Sequence, residues 1–455
     1  MKTHFFFLAV LLLLLASCSQ VEQMEEQVIP SNVEVPASYN ISLADIDRID
    51  FSRMITPQTK AASSLSKEIT PIVEDADTLL YVINYGDAEG WVLAAADKRA
   101  PIIMAMGENG QFDLEMLNIN KGVRVWLEGV KDKILYLKEH PEFVPDTSLL
   151  QVLQPGSIMT KGNGDEHDGE WLQLVYTIID FGEVRYDIDH LTSTQWGQED
   201  PWNLCLPYNS SPNDRCLAGC AIVAAAQQAY YLNSFIGKPA YAYQYGICTD
   251  YYTANNNNPQ IDLYNSSSST WSTMVESASD TSSVGKQAVS ALMAEIIDKS
   301  VATWSDGEAV ASLGMIRDYF TYYSISCSSS IFDEDLVLND IINSKPVIVG
   351  LDSANGLFDN HTAVIDGAKV YAPKYTYYYQ WMPIGTFPPV EPEFPDLDHP
   401  ELYEITSTWG QNSSYYFRLN WGFDGLLDDY LYLVGIPWGM GSFTYEPDVI
   451  LYNFH

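Results

Sequence analysis

A cysteine and a histidine in this chain have the surroundings that nucleophilic chemistry needs. Cys220 sits in RCLAGCAIVAAAQQAYYLN, where a glycine precedes the sulfur residue and a run of small, helix-forming residues follows it. That order places the sulfur at a helix N-terminus, where unpaired N–H groups and the positive end of the dipole favour the thiolate, the nucleophilic form. The competing reading is a small buried cysteine packing an alanine-rich helix. His361 shifts the balance. It opens the predicted strand HTAVIDGAKV just after the polar turn ANGLFDN, so a base there can reach across to a facing helix. It is one of only 7 histidines and stands 141 residues after Cys220. Such a separation suits a nucleophile and a base that lie far apart in the chain and meet in the fold.

Two further strings supply the supporting roles. RLNWGFDG ends a predicted strand on Asn420 and Trp421, types that orient an imidazole and shield it from water. In TQWGQEDPWN, Gln198 offers an uncharged N–H donor for a developing oxyanion. Taken singly, each also fits a buried aromatic at a strand end or a surface glutamine.

The elements that must position these residues follow from the periodicities. TLLYVINYG and GWVLAAADKRA flank a polar turn at Asp87 to Gly90, a hairpin pattern. Phe112 to His140 places Leu114, Leu117, Val123, Trp126, Val130, Ile134, Leu135 and Leu137 at mostly helical spacing, closed by Pro141. PGSIMTKGNGDEHDGE, residues 155–170, has almost no apolar content and reads as an exposed linker where a protease would cut. Beyond Trp171 a helix around AVSALMAEIIDKS is followed by KPVIVGLD, HTAVIDGAKV, YYFRLNWG and DYLYLVG as strands. Helices first and strands afterwards predict an α+β domain. No internal repeat is apparent.

Targeting and charge set the context. Phe5 to Ala16 form an apolar run of 12 residues, short of the roughly 20 that a spanning helix needs, and read as a signal peptide. LLLASCSQ resembles the lipobox of bacterial lipoproteins, which implies cleavage before Cys18 and lipid on its sulfur; the plainer alternative is an ordinary signal with an incidental cysteine. The net charge of −37 argues against a nucleic-acid binder, since neutralising phosphate takes clustered Lys and Arg. Charged residues make up only 18% of the chain and aromatics 13%, so a disordered chain is excluded as well. The charge is uneven. Residues 1–161 carry −9 and residues 162–455 carry −28.

The strings together resemble the streptopain-like cysteine peptidases of papain-like fold. WGQ followed by PYN, GC with an alanine-rich helix, PVIVG, HTAVIDG and NWG occur in that family's order over most of residues 185–435. YVINYG, GWVLAAADKRA and GENGQFD look like its inhibitory propeptide. The resemblance implies a two-lobed peptidase, a helical lobe with the cysteine and an antiparallel β lobe with the histidine, behind a small α+β prodomain. By residue it implies Cys220 as nucleophile, His361 as general base, Gln198 as oxyanion donor, and Asn420 with Trp421 beside the histidine. It also implies a cysteine endopeptidase made as a zymogen, with protein or peptide substrates, its own propeptide as intramolecular inhibitor and no cofactor. The expected division is 1–17 signal peptide, 18–70 tether, 71–160 inhibitory propeptide and 161–455 peptidase. Export and a lipid anchor at the outer membrane or cell surface, with release after processing, complete that expectation.

Departures from the family pattern bear on the subsites. Phe423 and Asp424 stand in NWGFDG where Trp and Gly are common, and Tyr371 to Tyr415, including FPPVEPEFPDLDHPELYE, reads as a surface excursion beside the substrate groove. The cysteines other than Cys18 and Cys220 are Cys205, Cys216, Cys248 and Cys327, enough for at most two disulfides, none required. With no CxxC and no His/Cys cluster at ligand spacing, no metal is assigned. Asp333 to Asp335 and Asp424 to Asp429 read as solvated surface. Two other readings stay open: a surface-tethered binding lipoprotein for glycans or proteins, and a peptidase-like module without activity.

Overall fold

The computed structural model describes residues 39–55, 66–142, 170–211, 214–236, 271–323, 325–351, 361–383, 404–409, 414–431 and 448–452. The apolar run before Cys18, Cys18 itself, Cys248 and nearly all of the expected linker at 155–170 lie outside them.

The N-terminal part begins with α1 (Leu43–Asp47), β1 (Ile49–Asp50) and α2 (Ser52–Ile55). α1 starts at a capping box in which the Ser42 hydroxyl accepts the Asp45 N–H and the Asp45 carboxylate accepts the Ser42 N–H. Ile46, Phe51, Met54 and Ile55 are buried against Tyr81, Ile83 and Ile103, so residues within the expected tether are part of a core. An antiparallel run follows: β2 (Lys67–Glu74), β3 (Asp77–Tyr85), β4 (Trp91–Ala95) and β5 (Ile103–Gly107). β4 and β5 are buried at every position, which requires cover on both faces. One face is covered by α3 (Lys121–Glu139), whose Val123, Trp126, Leu127, Val130, Ile134 and Leu137 form the buried stripe. The expected single helix from Phe112 is interrupted. Leu114–Asn118 make a 3-10 turn, and Asn120 starts α3 afresh by accepting the Val123 N–H on its side chain.

The second part contributes the long strand β6 (Glu170–Ile188), the short hairpin β7 (Tyr208–Ser211) and β8 (Asp214–Arg215), and α4 (Cys220–Ile236). Ala221 to Ala229 of α4 are all buried, as an alanine-rich helix in the centre of a lobe must be. It packs with α5 (Ser283–Ser300), the hairpin β9 (Thr303–Ser305) and β10 (Glu308–Val310), and α6 (Leu313–Tyr322) around Trp196, Ile222, Met293 and Phe320. β11 (Cys327–Ile331), α7 (Glu334–Ile342), β12 (Val347–Leu351), β13 (His361–Pro383), β14 (Glu404–Trp409), β15 (Ser414–Asn420), β16 (Tyr430–Leu431) and β17 (Asp448–Tyr452) complete the chain. The helices before and strands after give the α+β arrangement that the sequence order predicts.

β13 is longer than the sequence pattern indicates. Tyr371–Pro383, expected as the start of a surface excursion, continues the strand and pairs with β6 and β14. Its Tyr-rich composition suits a pleated surface, which explains why the segment stays in the sheet.

One sheet runs through both parts, in the order β11-β17-β12-β13-β15-β16-β5-β4-β3-β2. The junction is β16 against β5, with Tyr430 opposite Met106 and Leu431 opposite Ala105. The packing is shared in the same way. Leu93, Trp126 and Val130 of the first part bury against the cluster that holds Ile365, Phe417 and Trp421 of the second.

Candidate active site

Cys220 is the first residue of α4, as the sequence predicts. Gly219 before it takes φ +83°, and a Cβ there would lie 1.9 Å from the Ala309 carbonyl oxygen, so only glycine fits. The loop is pinned to the β9–β10 hairpin by the Leu217 N–H donating to Gly307 O (2.8 Å) and the Ala309 N–H to Leu217 O (3.1 Å). The same loop holds Gln198. The Ala218 N–H donates to Gln198 O at 3.0 Å, which puts this largely buried glutamine beside the chain entering the helix.

His361 opens β13, with Leu351 of β12 as its partner. It is 4% exposed, and its Nε2–H donates to the Trp421 carbonyl at 2.9 Å. Phe423 stacks on the ring at 5.4 Å between centroids, and Trp421 lies at 5.8 Å. Among the described residues no hydrogen bond joins His361 to Cys220, whose nearest bonding partner on β13 is Thr362. Asn420, expected beside the imidazole, instead donates through Nδ2 to Thr194 O at 2.6 Å, tying β15 to the strand of chain that leads to Gln198. Of the two candidates for contact with the histidine, Trp421 makes it and Asn420 does not.

The electrostatics leave both reactive groups neutral. Burial pushes the Cys220 thiol up to about 11, and the Glu308 charge adds to this, while hydrogen bonds with Thr362 and Ala221 pull the other way without prevailing. The helix-terminal position that favours a thiolate is therefore outweighed here. Burial likewise holds His361 down to about 4, with the positive charge of Lys121 adding to it against the Trp421 hydrogen bond.

Residues of the N-terminal part reach the surroundings of His361, and nothing in the catalytic strings announces them. Asn120, fully buried, donates Nδ2 to Leu426 O at 2.7 Å, while Lys121 supplies the charge just described. Gly122 is in direct contact. A Cβ on it would fall 2.4 Å from His361 Cδ2, 2.7 Å from Nε2 and 2.4 Å from Trp421 Cε3. The only sequence signal is the interruption of the apolar pattern at Ile119–Asn120, which marks a helix start. The acidic string after Asp424 also departs from expectation. Asp428 accepts the Trp421 N–H at 2.9 Å, and burial raises the carboxyls of both Asp428 and Asp429 to about 7, so neither is simple solvated surface. Asp333, in the other acidic string, caps α7 by accepting the Leu336 N–H.

Residues 196–431 match the peptidase C10 family, a span holding Gln198, Cys220, His361, Asn420 and Trp421 and just over half of the chain. The chain belongs to the peptidase C10 family. It is a cysteine-type peptidase. Residues 49–134 match a second family, the Spi protease inhibitor, so this C10 peptidase carries an inhibitor-type propeptide domain ahead of its catalytic domain and is a cysteine protease zymogen. A search of curated proteins gives no match. Among solved structures, a prointerpain A fragment of Prevotella intermedia carrying a Cys-to-Ala mutation aligns with a TM-score of 0.51 at 16% identity, covering 86% of this chain and 100% of that one. Active wild-type interpain A from the same organism aligns at 0.37 and 18%, covering 60% and 97%. The likeness to the first is one of fold and spans prodomain and peptidase together.

Proposed function

We propose that this C10 peptidase is an exported endopeptidase, held latent by residues 120–122 and anchored by lipid on Cys18. The observation that carries the latency is the seat of Gly122 on His361 and Trp421. With the helix there, the imidazole is neutral and bonded to a backbone carbonyl, and the thiol is neutral too. Removal of α3 lets water reach the ring, so that it turns from the Trp421 carbonyl toward Cys220 and takes its proton.

Catalysis then runs as acyl transfer. The Cys220 thiolate, paired with the His361 imidazolium, attacks the peptide carbonyl carbon. Gln198 and the Cys220 backbone N–H donate to the oxyanion. His361 protonates the leaving amine as the C–N bond breaks, and water, deprotonated by His361, hydrolyses the thioester to return the thiol. Asn420 supports this from a distance by holding the Thr194 segment, and Trp421 shields the base. Processing is placed between His140 and Trp171, with Lys161 as a candidate residue at the cut.

Incubating the full chain under reducing conditions and mapping fragments by mass spectrometry tests this reading. Wild type is expected to lose its N-terminal part and digest a denatured protein, with inhibition by the thiol reagent E-64. Cys220→Ala should do neither, and persistent cleavage by that variant would overturn the assignment. A mature N-terminus beyond Gln198 would overturn the processing site. Palmitate labelling of cells expressing the chain, lost in Cys18→Ser, tests the anchor.

A further inference from the structure

We infer that Asp424 selects a basic residue, Lys or Arg, immediately after the peptide bond that is cut. The inference rests on the peptidase reading above and names a substrate preference for it. Asp424 lies in the turn after Trp421, at φ +53°, a left-handed backbone between Gly422 (+73°) and Gly425 (+81°). Glycine suits such a position best, and a side chain is tolerated there most readily when it is Asp or Asn. The carboxylate is held in place on one side. Oδ1 accepts the Trp202 indole N–H at 2.6 Å, and both oxygens lie 2.9 Å from where a Cβ on Gly197 would stand.

That contact fixes where the charge is relative to the chemistry. Gly197 immediately precedes Gln198, the proposed oxyanion donor, and Gln198 is bonded to the loop entering Cys220. On the other side, the ring of Phe423, the residue before Asp424, stacks on His361. Asp424 therefore stands between the oxyanion segment and the base. The leaving amine must take its proton from His361, so the residue carrying that amine passes along this flank. Its side chain meets the carboxylate of Asp424, a residue exposed at the surface although burial of the acid group itself raises its pKa against the Trp202 hydrogen bond; Oδ2 takes no hydrogen bond, and no Lys or Arg pairs with it among the described residues. A cationic side chain supplies the missing partner; an acidic one is repelled.

The test uses full-length protein that has processed itself, a denatured-protein peptide library and mass-spectrometric counting of the residue after each cut. Wild type should cleave before Lys and Arg about fivefold more than before Ala or Ser, the scale of one partly solvated charge pair, with the excess fading at high ionic strength. Asp424→Asn keeps an oxygen for the Trp202 N–H and Asp424→Gly suits the left-handed backbone; both should lose the excess, and Asp424→Lys should shift cuts toward Asp and Glu. Wild-type cleavage without the excess, or an excess that survives in Asp424→Asn and Asp424→Gly, overturns the role of Asp424 and leaves the peptidase reading standing. Failure of wild type to cut any peptide overturns the peptidase reading, and this inference with it.

Discussion

With burial pushing the thiol up to about 11 and the imidazole down to about 4, Cys220 and His361 are both neutral at neutral pH. The sequence pattern shows the cysteine's place at a helix start but not this protonation state, because the burying groups come from residues far away in the chain. Gly122 is the clearest of them. Changing it to Ala has two opposed effects. Ala favours the helix by about 0.5–1 kcal/mol. Its Cβ, 2.4 Å from two ring carbons, forces an overpacked contact costing about 1–3 kcal/mol. The contact outweighs the propensity, and it acts on the closed state alone. Gly122→Ala is therefore expected to raise the iodoacetamide labelling rate of Cys220 in the full-length chain by about fivefold, the factor implied by the roughly 1 kcal/mol left between the mid-range values, with no loss of helix by circular dichroism. A labelling rate equal to wild type would show that Gly122 is not the contact that keeps His361 in place.

Elements were legible where one periodicity held over many residues, as in the β3–β4 hairpin and the alanine-rich α4. They were not where a polar residue resets the pattern. The apolar spacing from Phe112 onward hides the restart at Asn120, and the Tyr-rich arm of β13 looks like loop because its partner strand lies nearly 200 positions earlier in the chain. The far end of α3 depends on another residue of plain appearance. Arg99, 2% exposed, binds Asp97 through Nε and Nη2 (2.9 and 2.8 Å) and caps the helix by donating to Leu137 O at 2.6 Å and His140 O at 3.0 Å. Arg99→Met leaves Asp97, fully buried, without its counter-charge, at a cost of about 3–5 kcal/mol. A fall in the melting temperature of the Cys220→Ala full chain is expected, along with faster self-processing in the active background. The double change Arg99→Met with Asp97→Asn should recover part of the loss. Full retention of stability in Arg99→Met would mean that α3 is anchored by its apolar stripe alone.

The continuous sheet and shared core make release of the N-terminal part an opening of one body, and that opening is linked to protons at two sites that oppose each other. His361, near 4 when closed, returns toward its ordinary value of about 6.5 when hydrated, so the open form binds the extra proton and acid favours opening between those pH values. Asp429 works in the reverse sense. It lies against Gly107 and Trp91, with Glu108 raising it and Arg418 lowering it, and burial keeps it near 7 when closed. Hydrated, it returns toward about 3.9, so the closed form holds the proton and acid favours closing between pH 7 and about 4. Asp428 is raised chiefly by burial, and the charged and bonding groups around it, Arg418, Trp421, Asp366 and Asp429, all belong to the peptidase side, so the linkage treats it as unchanged by release of the N-terminal part. Across pH 4–6.5 the two effects cancel, and the ion pair of Lys369 on the peptidase side with Glu108 of the N-terminal part adds no proton uptake or release of its own over that range. Asp429→Asn still accepts the Trp91 N–H but no longer titrates, leaving His361 alone. In a Cys220→Ala background, hydrogen exchange of the α3 amides, corrected for intrinsic rates, should show the opening constant rising by up to about tenfold per pH unit from 6.5 down to 4 in Asp429→Asn. The same constant in the parent should change by less than about threefold over that range. An equally steep rise in the parent would mean that Asp429 is not part of the linkage, and a flat profile in both would mean that His361 stays buried when the helix opens.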